Sequence, residues 1–238
     1  MAAPKRFFVE QIADDMTLSA EESRHVKNVL RLTEGDEVTL FDGSGREYSA
    51  VVDHVARDAV HVHVVREAVS DREPGIRVTL LVGALKGDKT ELVVQKATEL
   101  GVMRIGVFSS RYCAAYMNEN KLERLRRVAR EAAKQCLRAT VPEVVYYETL
   151  EEALRAGEDC RHKLFACEFL PACGEGLGVL QESVCAVVGS EGGFSEEEYE
   201  AARQLGYTGI SLGRRILRAE TAAIALTSVI MYAAGELR

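Results

Sequence analysis

From residue 78 to the end of the chain, short apolar runs alternate with longer amphipathic ones, and this alternation limits the fold more than any other feature. Strand-length runs occupy 78–84, 105–109, 144–147, 164–167, 184–188 and 209–212. Helical periodicity fills most of the gaps, at 89–100, 121–137, 150–156, 196–205 and 220–234, and Gly101 and Gly235 close the first and last of these. Neighbouring parallel strands need a crossover connection, and a helix is its usual form. The pattern therefore predicts an α/β unit, a parallel sheet with helices on both faces.

Upstream the punctuation differs. Residues 6–9 read as a strand, and Ser19 followed by Glu22 has the form of a capping box opening a helix. That helix is expected to turn Val26, Val29 and Leu30 inward and to end near Arg31 and Leu32. Runs at 37–41, 48–55 and 60–65 follow, split by Asp42-Gly43-Ser44-Gly45 and Arg57-Asp58 turns. Short strands joined by close turns predict a small β-barrel. Ser70-Asp71-Arg72-Glu73-Pro74-Gly75 breaks both periodicities, so the boundary is placed there, between domains 1–72 and 73–238.

With 238 residues, 47% apolar and 28% charged, the chain has the balance of a globular protein with a real core. No apolar run nears the ~20 residues of a membrane helix, and the first ten residues lack a signal-peptide core. A cytoplasmic protein with no membrane partner is expected. Six cysteines without a C-x-x-C pair predict reduced thiols, and scattered histidines predict no metal site. Net charge is −7, yet its distribution is uneven. Residues 1–72 carry 9 basic against 14 acidic side chains, whereas 111–138 carry 8 against 3. In the helix from Lys121, Leu122, Leu125, Ala129, Ala132 and Cys136 form an inward stripe. Arg124, Arg127, Arg130, Lys134 and Arg138 are then left outward, as a solvated face or as a surface for phosphates.

Two loops carry the chemistry. Gly189-Ser190-Glu191-Gly192-Gly193 follows an apolar strand, and Ser195 with Glu198 caps the helix beyond it. The glycines permit close backbone approach to a ligand. The loop has neither G-x-G-x-x-G nor a Walker lysine, and Glu196, Glu197 and Glu198 would repel a phosphate at the helix start. A ligand without phosphate fits better. The second loop, 212–218, alternates arginines with apolar residues at another strand end, where ligands of open α/β sheets gather.

GSEGGFSEEE followed by SLGRRILRAETAA, with RFF, HVKNVLR, FDGSG and KGDKTELVVQKATELGV upstream, resembles the RsmE family of SPOUT methyltransferases over nearly the whole chain. That family methylates N3 of one uridine in 16S ribosomal RNA. The resemblance implies a PUA-like barrel, then an α/β domain whose last segment threads a trefoil knot. It also implies a homodimer, S-adenosylmethionine as methyl donor, and 16S ribosomal RNA or the small ribosomal subunit as partner. Carried over, cofactor contacts fall on Glu168, Val188, Gly189, Glu191, Gly192, Gly193, Leu212, Gly213, Arg215, Ile216, Leu217 and Thr221. Arg218, Glu220 and Glu191 become the catalytic candidates. Arg6, His25 and Arg31, with Arg127 and Arg130 of the basic helix, become the RNA contacts. A SPOUT enzyme acting on transfer or 23S ribosomal RNA, and a non-catalytic RNA-binding assembly factor, remain as alternatives.

Overall fold

The chain divides after Glu73 in the computed structural model, which describes residues 5–168 and 177–237; Cys173 lies outside these. The first unit takes in the chain up to Glu73 together with 133–141, and the second takes the rest.

In the first unit the elements are β1 (Arg6–Phe8), β2 (Asp15–Thr17), α1 (Ala20–Arg24), β3 (Glu37–Phe41), β4 (Arg46–Val55) and β5 (Val60–Val69). They form one ladder in the order β1-β3-β4-β5-β2, with β1 parallel to β3 and every other pair antiparallel. β1 and β2 are its edges and do not pair with each other among the described residues. Strand β2 escaped the sequence reading because Asp-Met-Thr, three residues with a single apolar side chain, is too short to display a period. Ser19 caps α1, its Oγ accepting from the Glu22 N–H at 3.2 Å. Beyond Arg24 the helix widens to π-type winding over His25–Leu30 and stops at Arg31, whose φ is 53°. The i→i+5 winding changes which side chains share a face. Val26 is fully buried and Leu30 packs on the core, but Val29 turns outward and is 65% exposed, contrary to the expectation from α-helical spacing.

Segment 133–141 joins this unit through charged groups. Lys134 Nζ lies 2.7 Å from both Glu22 carboxylate oxygens, and both side chains are buried. Arg138 pairs with Glu73 at 2.9 Å, and Glu73 also accepts the Ala139 and Thr140 N–H groups. Arg6 donates to the Arg138 carbonyl at 2.8 Å and to Glu47 at 2.9 Å, with its guanidinium over the Phe41 ring. Two corrections follow. Lys134 and Arg138 are buried rather than outward, and Arg6, only 4% exposed, holds the unit together instead of facing an RNA.

The second unit comprises β6 (Arg77–Gly83), α2 (Lys89–Glu99), β7 (Arg104–Phe108), α3 (Glu119–Gln135), β8 (Glu143–Tyr147), α4 (Leu150–Arg155), β9 (His162–Ala166), β10 (Ser183–Val188), α5 (Glu196–Gln204), β11 (Thr208–Ile210) and α6 (Ala219–Ala233). The last residues of α3 belong to the first unit. All six strands are parallel, in the order β11-β9-β10-β6-β7-β8. Helices cover both faces. Leu81, Phe108, Phe165, Cys185 and Val187 pack against Leu150 and Leu154 of α4 and Ala202 of α5. Leu80, Val82, Ile105 and Ala186 alternate to the other face, where α6 lies on β10 and β6 with α2 beside it. Burial on both faces explains why β10 is apolar and buried along nearly its whole length. β11 ends at Ile210, so Leu212, expected at a strand end, lies in the loop that follows.

Candidate active site

Strands β11, β9, β10 and β6 are neighbours and parallel, so their carboxyl ends lie along one edge of the sheet. A cavity of about 460 Å³ opens there, walled by segments 166–168, 188–191 and 211–219 with Lys89, Gly193 and Ala222. Two glycines let the backbone crowd together. A Cβ on Gly83 would sit 2.5 Å from the Ser190 nitrogen, so only glycine lets the end of β6 lie against the 189–193 loop. Gly193 has a φ of 66°, and a Cβ there would run into the Glu168 carboxylate.

Of the expected cofactor contacts, Glu168, Val188, Gly189, Glu191, Gly193, Leu212, Gly213, Arg215, Ile216 and Leu217 line the cavity, and Arg218 joins them. Two do not. Gly192 faces Tyr112, whose Cβ and carbonyl oxygen would lie 2.5 and 2.7 Å from an added methyl group. Thr221 is exposed on α6, where Ala219 and Ala222, three positions apart, are the residues that face the cavity.

Charge is organised around Lys89, the first residue of α2, which the sequence reading missed. Its Nζ lies 3.3 Å from Glu191 Oε1 and 3.6 Å from Glu220 Oε2. The Lys86 N–H also donates to Glu191 at 3.0 Å. Burial pulls the Glu191 carboxyl up, but the N–H groups of Lys86 and of its own backbone, with the Lys89 ammonium, outweigh that and hold it below the usual carboxylate range. Glu220 is buried and its Oε2 accepts no hydrogen bond. Arg218 is the N-cap of α6, exposed, and without an ion pair among the described residues, as are Arg214 and Arg215. A cation at a helix start opposes the macrodipole. Lys89 and Arg218 both break that rule, and both border the same cavity. A basic residue opening the helix that follows β6 is the signal that would have revealed Lys89.

The candidate RNA contacts belong to different units. His25 is half-buried, its Nδ1 3.4 Å from Lys134 Nζ, its ring edge-on to Phe7. Arg31 is exposed at the end of the π-type turn. On α3, Arg124 pairs with Glu91 at 2.9 Å, Arg126 with Glu119 at 2.9 Å and Arg130 with Glu123 at 3.3 Å. Arg127 is exposed.

The RNA methyltransferase domain family matches residues 72–231, and the RNA methyltransferase PUA domain matches 18–65. The ribosomal RNA small subunit methyltransferase E of Bacillus subtilis (strain 168) is 31% identical over 252 residues, covering 98% of each chain. This chain belongs to the ribosomal RNA small subunit methyltransferase E family. Another member, from Rickettsia conorii, is 32% identical over 84% of this chain and 82% of its own. Among solved structures, the family's enzyme from Neisseria gonorrhoeae, bound to S-adenosyl methionine, superposes with a TM-score of 0.85 at 29% identity over 95% of this chain and 96% of its own. A protein of Legionella pneumophila in complex with the same cofactor gives 0.87 at 30% identity over 98% of each chain. The likeness to the family spans both units, so the parallel α/β sheet and the amino-terminal PUA domain are features the chain shares with it.

Proposed function

We propose that the cavity binds S-adenosylmethionine and that this family member methylates N3 of a single uridine in 16S ribosomal RNA. The observation that carries the reading is the cavity at the strand ends, bordered by two cations that serve neither helix they begin. Its chemistry fits the cofactor. About 460 Å³ lies in the ~300–1,000 Å³ range of small-molecule sites. Leu212, Ile216 and Leu217 offer apolar surface for a purine, and Glu168 puts a carboxylate beside a cationic centre. The Gly189–Gly193 loop leads to a helix start carrying three glutamates, which suits a ligand without phosphate.

When bound, the cofactor supplies an electrophilic methyl group on a sulfonium. The protein's part is positioning and charge. Uridine N3 is a poor nucleophile while it holds its proton. In this reading Arg218, exposed on the wall, stabilises the N3 anion, and Lys89, on the same cavity, adds a second positive charge. Glu191 and Glu220 position Lys89. The donors that hold the Glu191 carboxyl low suit a charge that orients Lys89, and in this reading the N3 proton passes to solvent. The PUA unit contributes RNA surface through Arg31 and His25, and Arg127 adds a phosphate contact. The knot implied by the resemblance belongs to the same proposal. So does the homodimer, which is supported by Val229 and Tyr232 of α6 and Leu92 of neighbouring α2, all left exposed.

The test is to incubate the protein with S-adenosylmethionine and 16S ribosomal RNA, then digest the RNA and identify the methylated nucleoside by mass spectrometry. A single 3-methyluridine is expected. Methylation of a ribose or another base, or of transfer or 23S RNA in preference, overturns the N3 assignment; no heat of cofactor binding overturns the cavity assignment.

A further inference from the structure

A second cavity, of about 360 Å³, lies between segments 85–91 and 114–125 of the α/β unit. Its wall combines three cations, Lys86, Lys121 and Arg124, with the ring of Tyr116. Glu91 is the single acid among the lining residues, and Arg124 neutralises it at 2.9 Å. The Lys86 ammonium has no ion pair among the described residues. Lys121 Nζ donates to the Tyr116 carbonyl at 2.6 Å and lies 5.9 Å from the centre of its ring. That ring is 74% exposed. On the same segment Tyr112 is 47% exposed, with the Arg111 guanidinium 5.6 Å from its ring centre. A large aromatic face left in water beside cations contributes little to the fold.

The two cavities adjoin through Lys86, which lines the second and whose N–H donates to Glu191 of the first at 3.0 Å. That contact puts the second cavity within reach of nucleotides next to a base held in the first.

We propose that this second cavity holds single-stranded RNA flanking the methylated nucleotide, with a base stacked on Tyr116 and phosphates held by Lys86 and Lys121. The inference rests on the proposed function only in taking RNA as the substrate. Exposed aromatic faces interleaved with cations are how proteins hold single strands, because every base offers a π-face and every linkage a charge. A paired A-form helix hides those faces, so the site discriminates against duplex.

The chain contains no tryptophan, so Tyr116→Trp introduces one reporting indole into the full-length protein. A single-stranded oligoribonucleotide spanning the target uridine is expected to quench its fluorescence saturably. The same strand in a duplex, and inorganic polyphosphate, are expected not to. Tyr116→Ala is expected to raise KM for RNA roughly 5- to 150-fold, the range for loss of one stacked base, while cofactor affinity holds. Lys86→Glu with Lys121→Glu should flatten the salt dependence of RNA binding. The proposal is overturned if wild-type protein methylates RNA while the single strand leaves the indole unquenched. It is equally overturned if polyphosphate quenches as well as RNA, or if Tyr116→Ala leaves KM unchanged. Quenching by single-stranded RNA in a protein that methylates none would keep this site and overturn the proposed reaction instead.

Discussion

Arg218 shows how a single residue can be out of place for folding and in place for chemistry. As the N-cap of α6 it puts positive charge on the positive end of a helix, caps nothing with its side chain, and borders the cavity. Loss of such a preorganised charge typically costs on the order of 10²–10³ in rate. Arg218→Ala should stay folded, keep its calorimetric affinity for S-adenosylmethionine, and lose kcat by about that factor. Part of the rate should return at higher pH, where more uridine is already deprotonated. Near-normal turnover would remove Arg218 from the mechanism. Elsewhere in the same unit, Cys160 is singled out among thiols that looked alike in the sequence. A hydrogen bond from the Cys185 thiol, more than the charge of Arg77, lowers its pKa to about 7, and Cys185 keeps its own proton well above the usual range. Among the cysteines of the described residues, iodoacetamide should therefore label Cys160 first, with a rate rising through about pH 7, and Cys160→Ser should remove that labelling. Uniform labelling of the cysteines would contradict this.

Helix α3 is the element that departs most from its sequence pattern. Its apolar stripe is as expected, with Leu122, Leu125, Ala129 and Ala132 buried. Its basic face, however, is largely committed to partners: Glu91, Glu119, Glu123 and, at its end, Glu22. Lys134 and Glu22 lie 112 positions apart in the chain, so no local pattern announces their pairing. Removing one member of a buried pair leaves the other charge unpaired, at a cost of about 3–5 kcal/mol. Lys134→Ala should lower the urea midpoint accordingly without changing the slope, whereas Lys134→Met with Glu22→Leu should recover most of the loss. If the single and double variants are equally unstable, the pairing does not carry that stability.

At the scale of the whole molecule, helices α6 and α2 of the α/β unit leave apolar side chains exposed. Helix α6 is apolar on nearly every side, and a helix of that kind is normally covered all round. Its inner side packs on β10 and β6, but Tyr232 remains 72% exposed and Val229 46%, with Leu92 of α2 at 40%. A second copy of the chain is the partner we propose for this face. Tyr232→Glu should shift the protein from dimer to monomer in sedimentation velocity, while a charge on the already exposed Val69 of the first unit should leave the dimer intact. A monomeric wild-type protein, or a dimer indifferent to Tyr232→Glu, would show that this face is not the interface.

By itself the sequence determined the α/β class, the turn of pattern near residue 70 and the loops around the candidate site. Those features are local: apolar period, glycines and capping residues act over a few positions, and Ser195 with Glu198 forms the capping box that its spacing predicts. The tertiary structure alone decided the strand order, which brings β11, β9, β10 and β6 to one edge and so makes a single cavity from separate loops. It also decided that Lys89 stands between Glu191 and Glu220, that Gly192 turns to Tyr112, and that Arg6 is buried under Arg138 and Glu47. The physical reason is shared. Whether a charged side chain serves the fold or a ligand depends on what lies within a few ångströms of it, and those neighbours come from distant parts of the chain.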